Sequence, residues 1–334
     1  MDTAIYLGTA DGLYVVGDSS GSDGEWHGQM RLKSQVVRCI TAGARGSKTL
    51  YCGAFDEGVY RSDDGGASWG FCDGAPRRVL SLAVAGSEHT SVLYAGTEPS
   101  AVFRSDDGGA SWHELPSLLT LASAKTWSFP PRPWTSHVRW IAPNPHDPAV
   151  LIIGIELGGL MYTSDGGQTW LDHRPNAQRD VHMLAWHPTA PDRAYEAGGG
   201  GSAWSKDGGL NWQRIDAGRD RHYTWALAVD PADPDCWFIS ACPGPREAHY
   251  GVGSAQAYIY RWRGAGPWQP LGGGLPQPLT SLPYALAIAP GQFYAGLGDG
   301  RLYASYDLGD SWQQLHTSGD ALPRILALAC VGDL

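Results

Sequence analysis

The sequence predicts an all-β fold, a seven-bladed propeller with four-stranded antiparallel blades. Three observations predict it: one turn motif recurs five times, one kind of apolar run recurs seven times, and the last run has no partners after it. The turns read Ser/Thr-x-Asp-x-Gly-x-x-Trp and span Ser62 to Trp69, Ser105 to Trp112, Thr163 to Trp170, Ser205 to Trp212 and Ser305 to Trp312. The pattern makes mechanical sense. The Asp carboxylate accepts backbone N–H bonds within the turn, Gly supplies a positive φ, and Trp leaves the turn to pack between neighbouring sheets.

Two weaker copies end at Trp26, after GDSSGSDGE, and at Trp268, after RWRGAGP. Successive Trp separations are then 43, 43, 58, 42, 56 and 44, a constant unit with two insertions. Each unit carries four strand signals, as in RVLSLAVA, VLYAGT, AVFRS and SWHEL of the second. The first of these signals recurs as VVRCITAG (from Val36), RVLSLAVA (Arg78), HVRWIAPNP (His137), DVHMLAWHP (Asp180), YTWALAVDP (Tyr223), LPYALAIAP (Leu282) and PRILALAC (Pro323). The seventh run is expected to pair with IYLGTA, GLYVVGD and EWHGQM at the other end of the chain. That pairing removes open sheet edges. Residues 1–334 are read as one domain.

Gly 45 and Pro 23 suit short strands and tight turns, and no long amphipathic helix is expected. A net charge of -10 argues against a nucleic-acid partner, which would need a concentrated basic surface. The six cysteines form no CxxC pair and fall in apolar patterns, so they are read as core thiols rather than ligands. No apolar run approaches the roughly 20 residues of a membrane span, and the N-terminus lacks the pattern of a signal peptide. The expectation is a cytoplasmic protein with no membrane partner.

The five turns resemble those of the Asp-box, or BNR-repeat, propellers of the sialidase-like superfamily. That superfamily includes sialidases, xyloglucan-active glycoside hydrolases, sortilin-type receptor domains and the photosystem II assembly factor. The stretch TWSFPPRPWTSHVRWIAPNPHDP is similar to bacterial BNR-repeat proteins of the glycosyl hydrolase-like kind. The resemblance implies a propeller in which the boxes are structural. It does not extend to sialidase chemistry, because the Tyr/Phe-Arg-Ile-Pro motif is missing: VVRCI and LPRIL are the nearest matches.

Strand parity places the boxes on one face and both insertions, 115–136 and 242–256, on the other. Long loops gathered on one face of a rigid scaffold carry binding functions. These loops hold Trp127, Phe129, Arg132, Trp134, Arg246 and His249 among prolines. Aligned first strands place Arg38, Leu80, Arg139, His182, Trp225, Tyr284 and Leu326 at one level. Val36, Arg78, His137, Asp180, Tyr223, Leu282 and Arg324 lie two residues nearer the mouth, on the same strand face. Arg179 and His222, with His173, Arg174, Arg219 and Arg221, add cationic groups from neighbouring loops.

This concentration predicts a small polar or anionic ligand. Glu156, Asp180 and His182 are the candidate catalytic groups, for hydrolase- or lyase-like chemistry on a carbohydrate or related molecule. The ligand-binding candidates are Arg38, Arg78, Trp127, Arg132, Trp134, His137, Arg139, Arg179, His222, Tyr223, Trp225, Arg246, His249, Tyr284 and Arg324. No organic cofactor is implied; a divalent metal on His137, His182 and His222 is the alternative use of the histidines. A non-enzymatic docking scaffold for a protein partner is the competing reading. Glu196, in a strand position otherwise apolar or small, is expected to be paired or protonated, and a buried ion pair is the favoured expectation.

Overall fold

The computed structural model describes residues 4–18, 26–44, 46–87, 91–132, 134–250, 253–318 and 321–331. It is all-β and made of seven sheets, antiparallel except where Thr317–Ser318 joins Trp26–Arg31 in parallel, the seven-bladed propeller that the repeat predicts. Two compact units account for the chain, residues 1–40 with 217–334 and residues 41–216. The weak turn before Trp26 falls mostly outside the described residues. Among the described residues helix is confined to the insertions: two 3-10 turns, Pro116–Thr120 and Ala122–Thr126, and one α-helical turn, Pro245–His249. Among the described residues no helix is long and apolar enough to cross a membrane.

In residues 41–216 the first strands of three sheets are Val79–Ala85, Val138–Pro143 and Val181–Trp186. They pair with Val92–Thr97, Leu151–Ile155 and Ala194–Gly198. The sheet of Val138–Pro143 has three strands, and its expected fourth is reduced to a bridge between Tyr162 and Leu171. The cause lies one residue on. Asp172 accepts the Ser123 N–H (3.0 Å) and hydroxyl (2.5 Å), which ties the chain to the 115–136 insertion instead of to the sheet edge.

The other unit contains the pairing of the chain ends. Ile325–Val331 lies against Ala4–Thr9, which is followed by Leu13–Asp18 and Trp26–Arg31, with Thr317–Ser318 added at the far edge. The orphaned seventh run is therefore the innermost strand of the sheet begun at the N-terminus, as expected from sequence.

One irregularity recurs. The first strand of six of the seven sheets carries an extra residue relative to the second, at Leu80, Arg139, His182, Tyr284 and Leu326, and across Trp225 and Ala226. These bulges coincide with the level inferred from aligning the apolar runs, and a bulge re-aims a side chain out of the ladder. Opposite four of them stands a glycine. A Cβ on Gly96, Gly154 or Gly296 would come within 2.6, 2.3 and 2.6 Å of Val138, Val181 and Ile325 on the next sheet. The bare glycine lets the branched residue of the next blade approach.

The boxes work as the motif implies. In the second, Asp107 Oδ1 accepts the Ser105 hydroxyl and the Ser111 N–H, both at 2.8 Å, while Trp112 donates its indole N–H to the Gly109 carbonyl at 3.1 Å. A cleft of about 600 Å³ on this side is lined by Tyr51, Arg61, Arg104 and Asp106. Its arginines are engaged by Asp63, the Gly108 carbonyl and Asp106, so it is read as a gap between blades. The cysteines are free thiols, and burial pushes Cys72 and Cys236 up to about 11.

Candidate functional site

Within residues 41–216, polar side chains from three sheets and one insertion form a continuous cluster. Glu98 and Glu156 each follow the second strand of a sheet, two residues past the glycine that faces a bulge. Glu98 is nearly inaccessible. Its Oε1 meets Arg78 at 2.8 Å, and its Oε2 meets Arg132, from the insertion, at 2.6 Å. His137 Nδ1 stands 3.5 Å from the same Oε2, an ion-pair distance rather than a hydrogen bond, and its Nε2 lies 2.7 Å from Glu156 Oε2. Arg139 Nε is 3.5 Å from that oxygen too. On the next sheet His182 Nε2 is 3.5 Å from Asp180 Oδ1. Glu156, Asp180 and His182 each offer a ligand atom, all within 4.8 Å of one another.

Local structure explains the placement. Arg78 holds a left-handed conformation (φ 55) unusual for a non-glycine residue; its carbonyl accepts the Glu98 N–H at 3.1 Å while its guanidinium meets the Glu98 carboxylate. Phe129 packs edge-on against His137, with centroids 5.0 Å apart, and the Arg132 guanidinium lies 5.1 Å over Phe129. The 115–136 insertion thus covers one side of the cluster. Trp127 anchors that insertion, buried with Leu118, Val138 and Ile155, whereas Trp134 is 80% exposed.

The cluster is strongly polarised. Facing His137 and Arg132, the Glu98 carboxyl is held down at about 2. Burial of Glu156 favours its neutral form, but the hydrogen bond from His137 and the charges of His137, His182 and Arg139 outweigh it, and its pKa falls to about 2. Burial likewise disfavours the charged form of His137, yet its two carboxylate neighbours raise its pKa above the ordinary value. The result is an imidazolium between two carboxylates.

The expected ion pair of Glu196 is absent among the described residues. This carboxyl is fully buried, Oε2 accepts the Gln178 N–H at 2.9 Å, and desolvation pushes the pKa up to about 8. Glu196 is protonated near neutral pH because nothing cationic is close enough to offset its burial.

In the other unit, Tyr223, Trp225, His249 and Tyr284 form a packed group. Tyr284 gives its hydroxyl proton to the Ala248 carbonyl (3.0 Å), so His249 Nδ1–H donates to Tyr284 Oη (2.7 Å) and Nε2 accepts from Tyr223 (2.8 Å). Trp225 stacks edge-on against His249 at 4.8 Å, and Arg324 lies over Tyr284 at 5.7 Å. These residues fasten the 242–256 insertion to two first strands. Arg179, His222, Arg246 and Arg324 are exposed, and Arg38 is half-buried. Of the other loop cations, Arg221 pairs with Asp220, Arg219 is buried over Trp268, Arg174 donates to the Leu210 carbonyl, and His173 accepts the Leu160 N–H.

Sequence reasoning missed Glu98. The usable signal was the alignment of YAGTEPS with IIGIELGG, which gives Glu98 and Glu156 one repeat position. The same position on the next sheet is Gly199, where a Cβ would fall 1.9 Å from Asp180 Oδ2. The glycine run 198–201 therefore makes room for the Asp180 carboxylate.

No family model matches the chain, and no curated protein matches it. Solved structures do. An ancestral GH74 enzyme aligns with a TM-score of 0.65 and 20% identity over 86% of this chain and 39% of its own. The GH74 xyloglucanase from Xanthomonas campestris aligns with 0.62 and 18%, over 84% of this chain and 45% of its own. YCF48 bound to D1 peptide aligns with 0.58 and 17%, over 93% of this chain and 83% of its own. The chain spans less than half the length of the two GH74 structures. At these identities the likeness is one of fold: the chain is a seven-bladed β-propeller similar in architecture both to GH74 enzymes and to YCF48.

Proposed function

We propose that the cluster around Glu156 binds a small polar, anionic ligand and turns it over by hydrolase- or lyase-like chemistry. The observation that carries this reading is the gathering of Glu156, Asp180 and His182 within 4.8 Å, with His182 at the bulge of its strand and the two carboxylates just beyond strand ends. Arg78 and Arg132, 46% and 41% exposed at their side chains, keep guanidinium surface open to solvent beside it. They supply the attraction for an anion.

The site does not favour the paired-carboxylate mechanism of glycosidases, in which one carboxyl must be held protonated to donate to the leaving group. Glu156 is depressed to about 2 and stays ionised. Proton transfer falls instead to an imidazole, and His182, on the bulge, is our choice.

The test is thermal-shift screening with carboxylated and phosphorylated sugars, followed by Glu156→Gln and His182→Ala. The expected result is stabilisation by at least one such compound, abolished in both variants while their unliganded melting stays cooperative. Unaltered shifts in both variants would overturn it.

A docking scaffold is the second reading. It is favoured by the largely exposed Trp134 in the same insertion as Arg132 and by the likeness to YCF48 bound to D1 peptide. A protein that responds to no small anion but loses a captured peptide on Trp134→Ala fits that reading.

A further inference from the structure

The geometry points to a divalent-cation site formed by Glu156, Asp180 and His182. This deepens the functional reading, takes His182 as a ligand in place of the proton-transfer role given above, and rests on that reading only for the anionic ligand that would complete the coordination; binding of the ion itself stands on the protein's own donors.

The donor set is two carboxylate oxygens and one imidazole nitrogen, from two neighbouring sheets, with ligand atoms within 4.8 Å of one another. Ions bound at about 2.0 to 2.2 Å need their donors roughly 3 to 4 Å apart, a closure of side-chain rotation only. Glu156 Oε2 meets His137 Nε2 at 2.7 Å and Arg139 Nε at 3.5 Å. Asp180 Oδ1 is out of contact with water and accepts no hydrogen bond; His182 Nε2 stands 3.5 Å from it. Two carboxylates this close repel, and a cation between them relieves the repulsion.

The surroundings are those of a supported metal ligand. Ligating carboxylates are oriented by a second layer of hydrogen bonds. His137 holds Glu156 in that way, with Phe129 packed on its ring and Glu98 beyond. Gly199 occupies the repeat position filled by Glu98 and Glu156 elsewhere, and any side chain there would collide with the Asp180 carboxylate. The loop leaves that carboxylate free to turn toward the other two donors.

An imidazole with two carboxylates suits Mn²⁺ or Zn²⁺ better than Mg²⁺ or Ca²⁺, which prefer oxygen alone. Three protein donors leave positions open for water or for an anion drawn in by Arg78 and Arg132.

The experiment is a titration of the chelator-treated 334-residue chain with MnCl₂, read by the loss of free-ion EPR signal, and with CaCl₂ as comparator by calorimetry. One Mn²⁺ should bind, at least tenfold more tightly than Ca²⁺. Asp180→Asn and Glu156→Gln should each weaken Mn²⁺ at least tenfold, and Glu247→Gln, on the other insertion, should not. Pulsed EPR of bound Mn²⁺ should show a nitrogen coupling from a single imidazole, a readout that needs no His182 variant. Absence of binding, binding insensitive to both substitutions, or bound ion without the nitrogen coupling would each overturn the site. A protein that shifts with sugar acids but binds no Mn²⁺ refutes the metal and leaves the ligand reading standing; the reverse outcome refutes the ligand reading alone.

Discussion

Gly154 faces Val181 so closely that a single added carbon would stand 2.3 Å from the valine methyl. Gly154→Ala should therefore force the sheets of Val138–Pro143 and Val181–Trp186 apart, at a cost of about 1 to 3 kcal/mol. Gly17, whose added carbon meets nothing within 4 Å, is the matched control. Urea denaturation should show a lowered midpoint for the first variant and none for Gly17→Ala. Equal midpoints for the two would contradict the packing.

The boxes should act on stability alone. Asp207 accepts bonds from the Ser205 hydroxyl (2.8 Å), the Asn211 N–H (2.9 Å) and the Asn211 side chain (2.7 Å). Asp207→Ala should cost about 1 kcal/mol and leave Mn²⁺ and ligand responses near normal well below the melting transition. The bonds to Asp64, Asp107 and Asp307 hold their pKa values at about 2, below the ordinary 3.8. A depressed folded-state pKa gives stability that is present above 3.8 and lost as pH falls toward 2. Acid melting curves of a variant lacking one box should flatten in that window.

Glu196 should produce the opposite slope. Its folded-state pKa, about 8, exceeds the ordinary 4.5, so its contribution is complete below 4.5 and declines as pH rises through 8. The unfolded chain ionises across that range while the folded one must keep the proton. Glu196→Gln should melt higher than the parent at pH 8, with the advantage shrinking at pH 5. A pH-independent difference would show that the carboxyl does not titrate between the two states as described.

Removal of residues 322–334 takes away Ile325–Val331, the strand that lies on Ala4–Thr9 and carries Ile325 into the packing around Leu7, Tyr294 and Leu302. The truncated chain should lose cooperative melting by circular dichroism. Melting unchanged from the parent would mean that the two ends do not depend on each other.

The architecture was legible because the box motif and its Trp repeat at nearly fixed spacing, and because the first strands keep apolar residues in register even where their lining residues differ. Aligning them found the bulge level without knowledge of the bulge, since Arg139, His182 and Tyr284 interrupt the same pattern. Asp180 and His182 were drawn from that alignment and Glu156 from a loop after a second strand, and the structure brings the three together. What the sequence hides is who satisfies whom. Nothing in the spacing of Tyr223, His249 and Tyr284 says that their polar atoms bond to one another. Glu196 shows the same limit: a buried carboxyl beside no cation and one beside an arginine read alike as letters. Glu98 escaped notice because it lies at a strand end, and its alignment with Glu156 is plain only once the second strands are compared.

On six of the seven first strands the bulge separates a side chain that leaves the ladder from what holds the sheet. An extra residue makes no demand on ladder pairing, and the chain uses that freedom: Leu80, Arg139, His182, Trp225, Tyr284 and Leu326 are chemically unlike while their flanks remain apolar. One exchangeable position per blade lets point substitutions rewrite the reactive vocabulary of the fold without shifting any strand. Specificity in such a scaffold can evolve letter by letter, each change tried against a frame that is indifferent to it.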